Sequence, residues 1–297
     1  MTKQDAVFDS KIVSTKKVDV EVHSSHFGDG GVSNWDIWAM VCGPVVAYAP
    51  ALISAECKSL NVMQMPGYGK SVITADVKEL TLADYIDTLD EVIDTNDGVL
   101  YGYSHSGYFM AQYALMRPEK VKALILIEPA LYTPKQELLN RIALIEAGED
   151  RQAMSSVIKF AGRAQGDEEV DQAARTILTN VNSSSAVAME YRVRADNEVT
   201  DEALAKLGVP VLLIGGTDSN ISYMVKKASQ ALPHAFVSWI QGADHFNIES
   251  DEFEAEIALA INAFLQSVSA NNGKMFHKLM ASIKAERSLE AEAEVVG

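Results

Sequence analysis

The stretch Val99 to Pro118, VLYGYSHSGYFMAQYALMRP, holds the residues best placed to do chemistry. Val99, Leu100 and Tyr101 read as a short buried strand. Gly102-Tyr103-Ser104-His105-Ser106-Gly107 follows at once and opens an apolar helical run that stops before Arg117-Pro118. A serine held between small residues at a strand-to-helix junction has the geometry of a nucleophile. The sharp turn forces Ser104 into a strained backbone conformation, and Gly102 and Ser106 keep bulk out of the space around it. The backbone N–H of His105 can face a developing oxyanion, with the positive end of the helix behind it. The pattern is G-x-S-x-S-G, so a serine stands where a second glycine would complete G-x-S-x-G, and Gly107 follows it.

Composition narrows the classes. The chain has 297 residues, 48% of them apolar, enough for a sizeable core. A formal net charge of −16 argues against nucleic acid and against anionic membrane surfaces as partners. Two cysteines, Cys42 and Cys57, cannot build a disulfide framework, and no Cys/His spacing suggests a metal. The first residues carry no apolar run of the signal-peptide kind, so a cytoplasmic setting is expected. Ile37 to Ala55 is free of charge, but Gly43-Pro44 and Pro50 interrupt it. A buried strand, a tight loop and a buried helix over Val45 to Ser59 explain it better than a membrane span.

The elements that position Ser104 alternate. Lys11–Ser14 and Val18–Val22 read as two edge strands, Ile37–Val41 and Asn61–Met65 as buried ones. Thr81 with Asp84 forms a capping-box variant, and Leu82, Tyr85, Ile86, Leu89, Val92 and Ile93 fall on one helical face. Val121–Ile127 is another apolar strand, ending at Glu128-Pro129. From about Leu131 to Leu207 the pattern is helical only, with segments predicted near Gln152–Phe160, Glu168–Thr179 and Ala186–Arg194. Strands resume at Val209–Ile214, which leads into Gly215-Gly216-Thr217-Asp218, and at Ala235–Ile240, which leads into Gly242-Ala243-Asp244-His245. A last helix runs from Ser250, its expected N-cap, to about Val268. This alternation predicts an α/β fold, a mostly parallel sheet covered by helices on both faces.

Ser104, Asp218 and His245 each follow an apolar strand, in the chain order of nucleophile, acid and base in α/β-hydrolases. Met65-Pro66-Gly67-Tyr68-Gly69-Lys70-Ser71 resembles that superfamily's D-x-P-G-x-G-x-S segment, with Gln64-Met65 in place of the acid. Arg117-Pro118-Glu119-Lys120-Val121 resembles its R-x-P-E-x-V helix exit. From about residue 10 to 268 the chain is therefore similar to the α/β-hydrolase superfamily. The resemblance implies an α/β-hydrolase core over 1–130 and 208–269, with a helical cap over 131–207. It also implies catalysis by Ser104, with His245 as base and Asp218 as the acid that orients it. Glu128 stands at an alternative acid position used by some members. Asp218, three residues past a glycine, is preferred, because Pro129 should hold Glu128 extended. Asp244 reads as a solvated neighbour of His245.

The second oxyanion donor is the weak match. Members usually carry H-G-x after the third strand; here the segment is Cys42-Gly43-Pro44, and Pro44 has no N–H to give. Gly43 or Val45 is left as donor beside His105. The expected activity is hydrolysis of an ester, thioester or related acyl bond of a small molecule through an acyl-enzyme on Ser104, with no metal or organic cofactor implied. Carbon–carbon bond hydrolysis, cofactor-free oxygenation, or ligand binding without turnover are the other readings open to this scaffold. Tyr132, Phe160, Met189 and Tyr191 are candidate cap residues lining the site. Met275, Phe276, Leu279, Met280 and Ile283 form an apolar stripe within 270–297, expected as an amphipathic helix, with docking on its own domain and homodimer formation both open and the latter favoured.

Overall fold

The computed structural model describes residues 8–27, 35–43, 57–95, 98–162 and 166–269. The helix expected from Val45, the Asn96-Asp97 turn and the C-terminal stripe lie outside the described residues. Ser59, the expected end of that helix, instead begins a strand.

The strands are β1 (Asp9–Ser14), β2 (Val18–His26), β3 (Asp36–Val41), β4 (Ser59–Gln64), β5 (Val72–Ile73), β6 (Gly98–Tyr103), β7 (Val121–Ile127), β8 (Val211–Gly216) and β9 (Ala235–Ile240). They form one sheet in the order β1-β2-β4-β3-β6-β7-β8-β9, with β5 on β2. From β4 to β9 all pairings are parallel, and β1, β2 and β5 pair antiparallel. β1 is an edge as expected, but β2 is interior, bonded to β1, β4 and β5. Its alternating pattern reflects one covered face rather than an edge position.

Strand period sorts the core into two layers. Trp38, Met40, Leu124, Leu126, Val211 and Leu213 join the core on one face, packed under α1 (Leu82–Val92) and α2 (Ser104–Met116). Ile37, Ala39, Val41, Ala123, Ile125, Ile127, Leu212 and Ile214 join the other, against Ile257, Ile261, Phe264 and Leu265 of a C-terminal helix, Glu254–Ser269. That helix starts later than expected, with Ser250 in the preceding turn and its hydroxyl unpartnered. The Thr81–Asp84 capping box is present: Asp84 N–H donates to Thr81 Oγ1 at 3.3 Å and Thr81 N–H to Asp84 Oδ2 at 2.8 Å.

Between β7 and β8 the chain leaves the sheet for α3 (Lys135–Glu146), α4 (Asp150–Ala161), α5 (Asp167–Leu178), α6 (Ser184–Asp196) and α7 (Asp201–Leu204). α8 (Ser222–Ala231) then links β8 to β9, and Glu254–Ser269 is α9. The turn at 66–71 docks this helical insert. Asn182 N–H donates to Gly67 O at 2.8 Å, Gly69 N–H to Asn180 O at 2.9 Å, and Asn182 Nδ2 to the carbonyls of Gly69 and Ser71. Gly67, at φ 92°, must be glycine: a Cβ would sit 2.7 Å from Ala186 Cβ. The Arg117-Pro118 segment does a different job. Arg117 Nε, Lys120 Nζ and Tyr113 Oη all donate to Asp90, fastening α2 to α1. Among the described residues no helix is long and apolar enough to cross a membrane.

Candidate active site

Ser104 follows the last residue of β6 and begins α2, at φ 54°. A left-handed serine costs on the order of 1–2 kcal/mol, so the surroundings must hold it. Two features do. Ser106 Oγ accepts the Tyr103 N–H at 2.9 Å and donates to the Tyr103 carbonyl at 2.8 Å, closing the turn around the serine. Gly102 and Gly107 then meet face to face, since a Cβ on Gly102 would lie 2.6 Å from Gly107 Cα. The small residue required by the crowding is thus Gly107, while Ser106 acts as a clamp, which explains the serine in the G-x-S-x-S-G pattern.

His245 follows β9 and is 2% exposed. Its Nε2 is 3.0 Å from Ser104 Oγ. The Tyr103 hydroxyl donates to the His245 carbonyl, and the two rings stack at 5.1 Å with 20° between planes. Phe246 meets the imidazole edge-on at 5.0 Å. Asp244 is buried rather than solvated. Its carboxylate accepts the N–H groups of Phe246 and Asn247 at 2.8 and 3.1 Å, and so shapes the loop that presents His245.

The acid beside His245 is Glu128, not Asp218. Glu128 Oε2 is 3.3 Å from His245 Nδ1, whereas Asp218 is exposed and, among the described residues, its carboxylate accepts a side-chain hydrogen bond only from the neighbouring Thr217 hydroxyl, at 3.1 Å. The expected restriction by Pro129 is overturned by the backbone. Glu128 sits at φ 45°, a left-handed turn that swings its carboxylate off the strand axis toward the histidine. The loop carrying Asp218 supplies two supports instead. Gly216 N–H donates to Glu128 Oε1 at 2.7 Å and Ser219 Oγ donates to Oε2 at 2.5 Å. Gly216 has no room for a side chain, as a Cβ would lie 2.3 Å from Ala243 O. Ser219, a buried hydroxyl one residue past Asp218, was not anticipated; its only sequence signal is a small polar residue in that post-strand turn.

His105 is the second residue of α2, so its N–H has no intrahelical acceptor and lies beside Ser104. Its side chain points into the insert. Nδ1 is 3.2 Å from both carboxylate oxygens of Glu190, and Nε2 is 3.7 Å from Cys42 Sγ. Cys42 and Gly43 follow β3, the strand next to β6, so they border the nucleophile turn. The Gly43 carbonyl is held by Gln64 Nε2 at 2.9 Å. Pro44 and Val45 lie outside the described residues.

Behind His105 is a buried charged cluster. Glu190 is fully buried and also accepts from Arg194 Nη1 at 3.0 Å. Burial works to raise its pKa, but His105 and Arg194 outweigh it and hold the carboxyl below its ordinary value. Burial likewise works against charge on His105, yet Cys42 and Glu190 prevail and its pKa is pushed up to about 10. Of the candidate lining residues, Phe160 and Tyr191 border the narrow cavity over Ser104 and His245. Tyr132 instead donates to Asp201 Oδ1 at 2.7 Å, and Met189 lines a separate groove with Leu80 and Ile145.

The family described as alpha/beta hydrolase fold matches residues 60–252. The chain belongs to that family. Solved structures agree on the fold. A putative lipase from Acinetobacter baumannii aligns at TM-score 0.68 and 13% identity, over 89% of this chain and 93% of its own. The carboxylesterase CesB of Bacillus subtilis aligns at 0.62 and 18%, over 87% and 93%. An esterase from Exiguobacterium antarcticum aligns at 0.66 and 16%, over 87% and 98%. A search of curated proteins finds no sequence match. The family match and the solved structures together establish the α/β-hydrolase fold.

Proposed function

We propose that the protein hydrolyses an ester, thioester or related acyl bond of a small molecule through an acyl-enzyme on Ser104, with the helices of 131–207 acting as a cap over the site. The observation that carries this reading is the run from Ser104 Oγ to His245 Nε2 at 3.0 Å and from His245 Nδ1 to Glu128 Oε2 at 3.3 Å. As Ser104 Oγ bonds to the substrate carbonyl carbon, its proton passes to His245 Nε2. Glu128 holds the tautomer with Nδ1 protonated and stabilises the imidazolium. Negative charge on the carbonyl oxygen falls at the His105 N–H, with the turn at Gly43 as second donor. The imidazolium then protonates the departing alcohol or thiol, and water repeats the sequence on the acyl-enzyme. The side chain of His105 is committed to Glu190 and Cys42, so it takes no part in these steps.

Stopped-flow hydrolysis of a p-nitrophenyl ester, followed by mass spectrometry after a phosphonate probe, tests the proposal. A burst of one equivalent and a phosphonyl adduct on Ser104 are expected. An unlabelled Ser104 in a protein that still turns over the ester would exclude the acyl-enzyme.

A further inference from the structure

The cavity over Ser104 and His245 is walled on its cap side by cationic and phenolic groups. Arg141 from α3 and Arg194 from α6 both border it, as do Tyr191 and Phe160. Both arginines are buried, at 3% and 4% exposure, and Tyr191 is at 1%. Each of the three has a buried donor with no hydrogen-bond partner: Arg141 Nη2, Arg194 Nε and Tyr191 Oη. Unpaired buried donors are rare in native proteins and costly, so three bordering one cavity call for an acceptor.

The rest of each side chain is fixed. Arg141 Nε donates to Ser156 Oγ at 3.2 Å, and its guanidinium lies 5.2 Å from the Phe160 ring centre. Arg194 donates to Glu190, to Thr133 Oγ1 at 2.9 Å and to the Ala130 carbonyl at 3.3 Å. The charges do not balance. Glu190 is shared between His105 and Arg194, while Glu137, the partner of Arg141, stands 3.7 Å away and is 38% exposed. Burial accordingly lowers the pKa of Arg141, with Tyr191 pulling the other way. Arg141 is a buried cation held by aromatic faces, and the carboxylate facing its Nη2, Glu137, stands at 3.7 Å, beyond hydrogen-bond reach, which leaves that N–H able to bond a closer anion.

We infer that the substrate is an ester bearing a carboxylate, which docks on Arg141 with Tyr191 and Arg194 as further donors while its acyl carbon faces Ser104. This rests on the hydrolase reading above. The free space between these donors and Ser104 is about 20 Å³, room for roughly one water, so α3 and α6 must shift outward for such an ester to enter. Its carboxylate oxygens would accept from the three orphaned donors.

Two kinds of substrate carry the charge, and each has a neutral match. A p-nitrophenyl hemisuccinate places the carboxylate on the acyl side and is compared with p-nitrophenyl butyrate. 4-Acetoxybenzoate places it on the leaving side and is compared with phenyl acetate. For at least one pair, the charged ester should win in kcat/KM by about 10- to 100-fold, the scale of one or two charge-assisted hydrogen bonds. Arg141→Met should collapse that ratio, mostly through KM, and Arg141→Lys should restore part of it. Binding is read separately from turnover: millimolar succinate or benzoate should raise the melting temperature of the wild type and not that of Arg141→Met. Should Arg141→Met fail to fold, the wild-type ratio and melting shift still decide. Neutral esters preferred in both pairs, with no melting shift, overturns the inference and leaves the hydrolase reading standing. A melting shift without turnover of any ester removes the hydrolase reading and keeps the anion site.

Discussion

Ser104 and Glu128 each directly follow one of two adjacent parallel strands, β6 and β7, in the same left-handed conformation, φ 54° and 45°, and among the described residues no other non-glycine has a positive φ. The pair is also joined directly beyond the strands, for Ala130 N–H donates to the Ser104 carbonyl at 2.9 Å. Strain is concentrated at these two residues, where it aims two side chains at one imidazole from neighbouring strands.

Replacing the nucleophile should separate activity from stability. Ser104→Ala is expected to lower kcat/KM by roughly 10³-fold or more. Ser104→Gly should be equally inactive but melt higher than Ser104→Ala, because glycine accepts φ 54° without a Cβ penalty. Differential scanning calorimetry of the two variants checks this, and equal melting temperatures would mean that the serine turn stores no strain.

The acid is decided by a pair of isosteric changes. Glu128→Gln should cut kcat by about 10²- to 10⁴-fold, since the amide cannot hold the protonated Nδ1 in the same way. Asp218→Asn should stay within about twofold, as for a surface change worth less than about 0.5 kcal/mol. Ser219→Ala removes one donor to Glu128 and should fall between them. A reversed order would return the acid role to Asp218.

Stability should fall with rising pH through the His105–Glu190 contact. The folded pKa of His105, about 10, lies above the ordinary histidine value near 6.5. Its contribution is therefore complete below about pH 6.5 and is lost as pH rises toward 10. Glu190 has the opposite sign: its lowered pKa stabilises above the ordinary carboxylate range and is lost as pH falls through the folded value. Urea midpoints for wild type should drop between pH 7 and 9.5 by more than those of His105→Gln. A parallel decline in both proteins would count against a charged His105.

Breaking the same cluster from the carboxylate side should be severe. Glu190→Ala leaves Arg194 buried without its ion-pair partner and is expected to cost on the order of 3–5 kcal/mol. Equilibrium unfolding gives the number directly, and a loss below about 1 kcal/mol would show the cluster to be weakly coupled.

Ser106→Ala tests the clamp on the nucleophile turn. It strands the buried Tyr103 N–H and should destabilise by about 1–3 kcal/mol. Activity should fall as well, because φ at Ser104 is then less firmly set. Unchanged stability would mean that the Tyr103 N–H finds another acceptor.

Most of the parallel sheet, and two members of the site, could be read from residue patterns. β7 and β9 fall where the apolar runs place them, Ser104 opens the helix after one such run, and His245 sits in the loop after another, positions that follow from where the strands end. Glu128 is legible only as the alternative acid, because backbone rules before proline describe average preferences and Glu128 departs from them under tertiary support from Gly216 and Ser219. Arg141 and Arg194 did leave a trace. Arg141 falls on the helical face of Leu138, Ile142 and Ile145, and Arg194 on that of Val187 and Tyr191. A charge on an apolar stripe signals a buried polar group, but which cavity it borders depends on how the insert folds back over β6.

Glu128 is the last residue before the chain departs for the helical insert, and Glu128-Pro129-Ala130 is at once the stem of that insert and part of the site. Its N–H groups donate inward, Glu128 to Ile214 O and Ala130 to Ser104 O, while the Ala130 carbonyl accepts outward, from Arg194 of the insert. A graft between relatives would therefore have to splice downstream of Ala130 to keep the reactive machinery whole. The segment Leu131 to Leu207 is exchangeable only together with the core residues it grips, since Glu190 holds His105 and Asn182 holds the turn at 66–71.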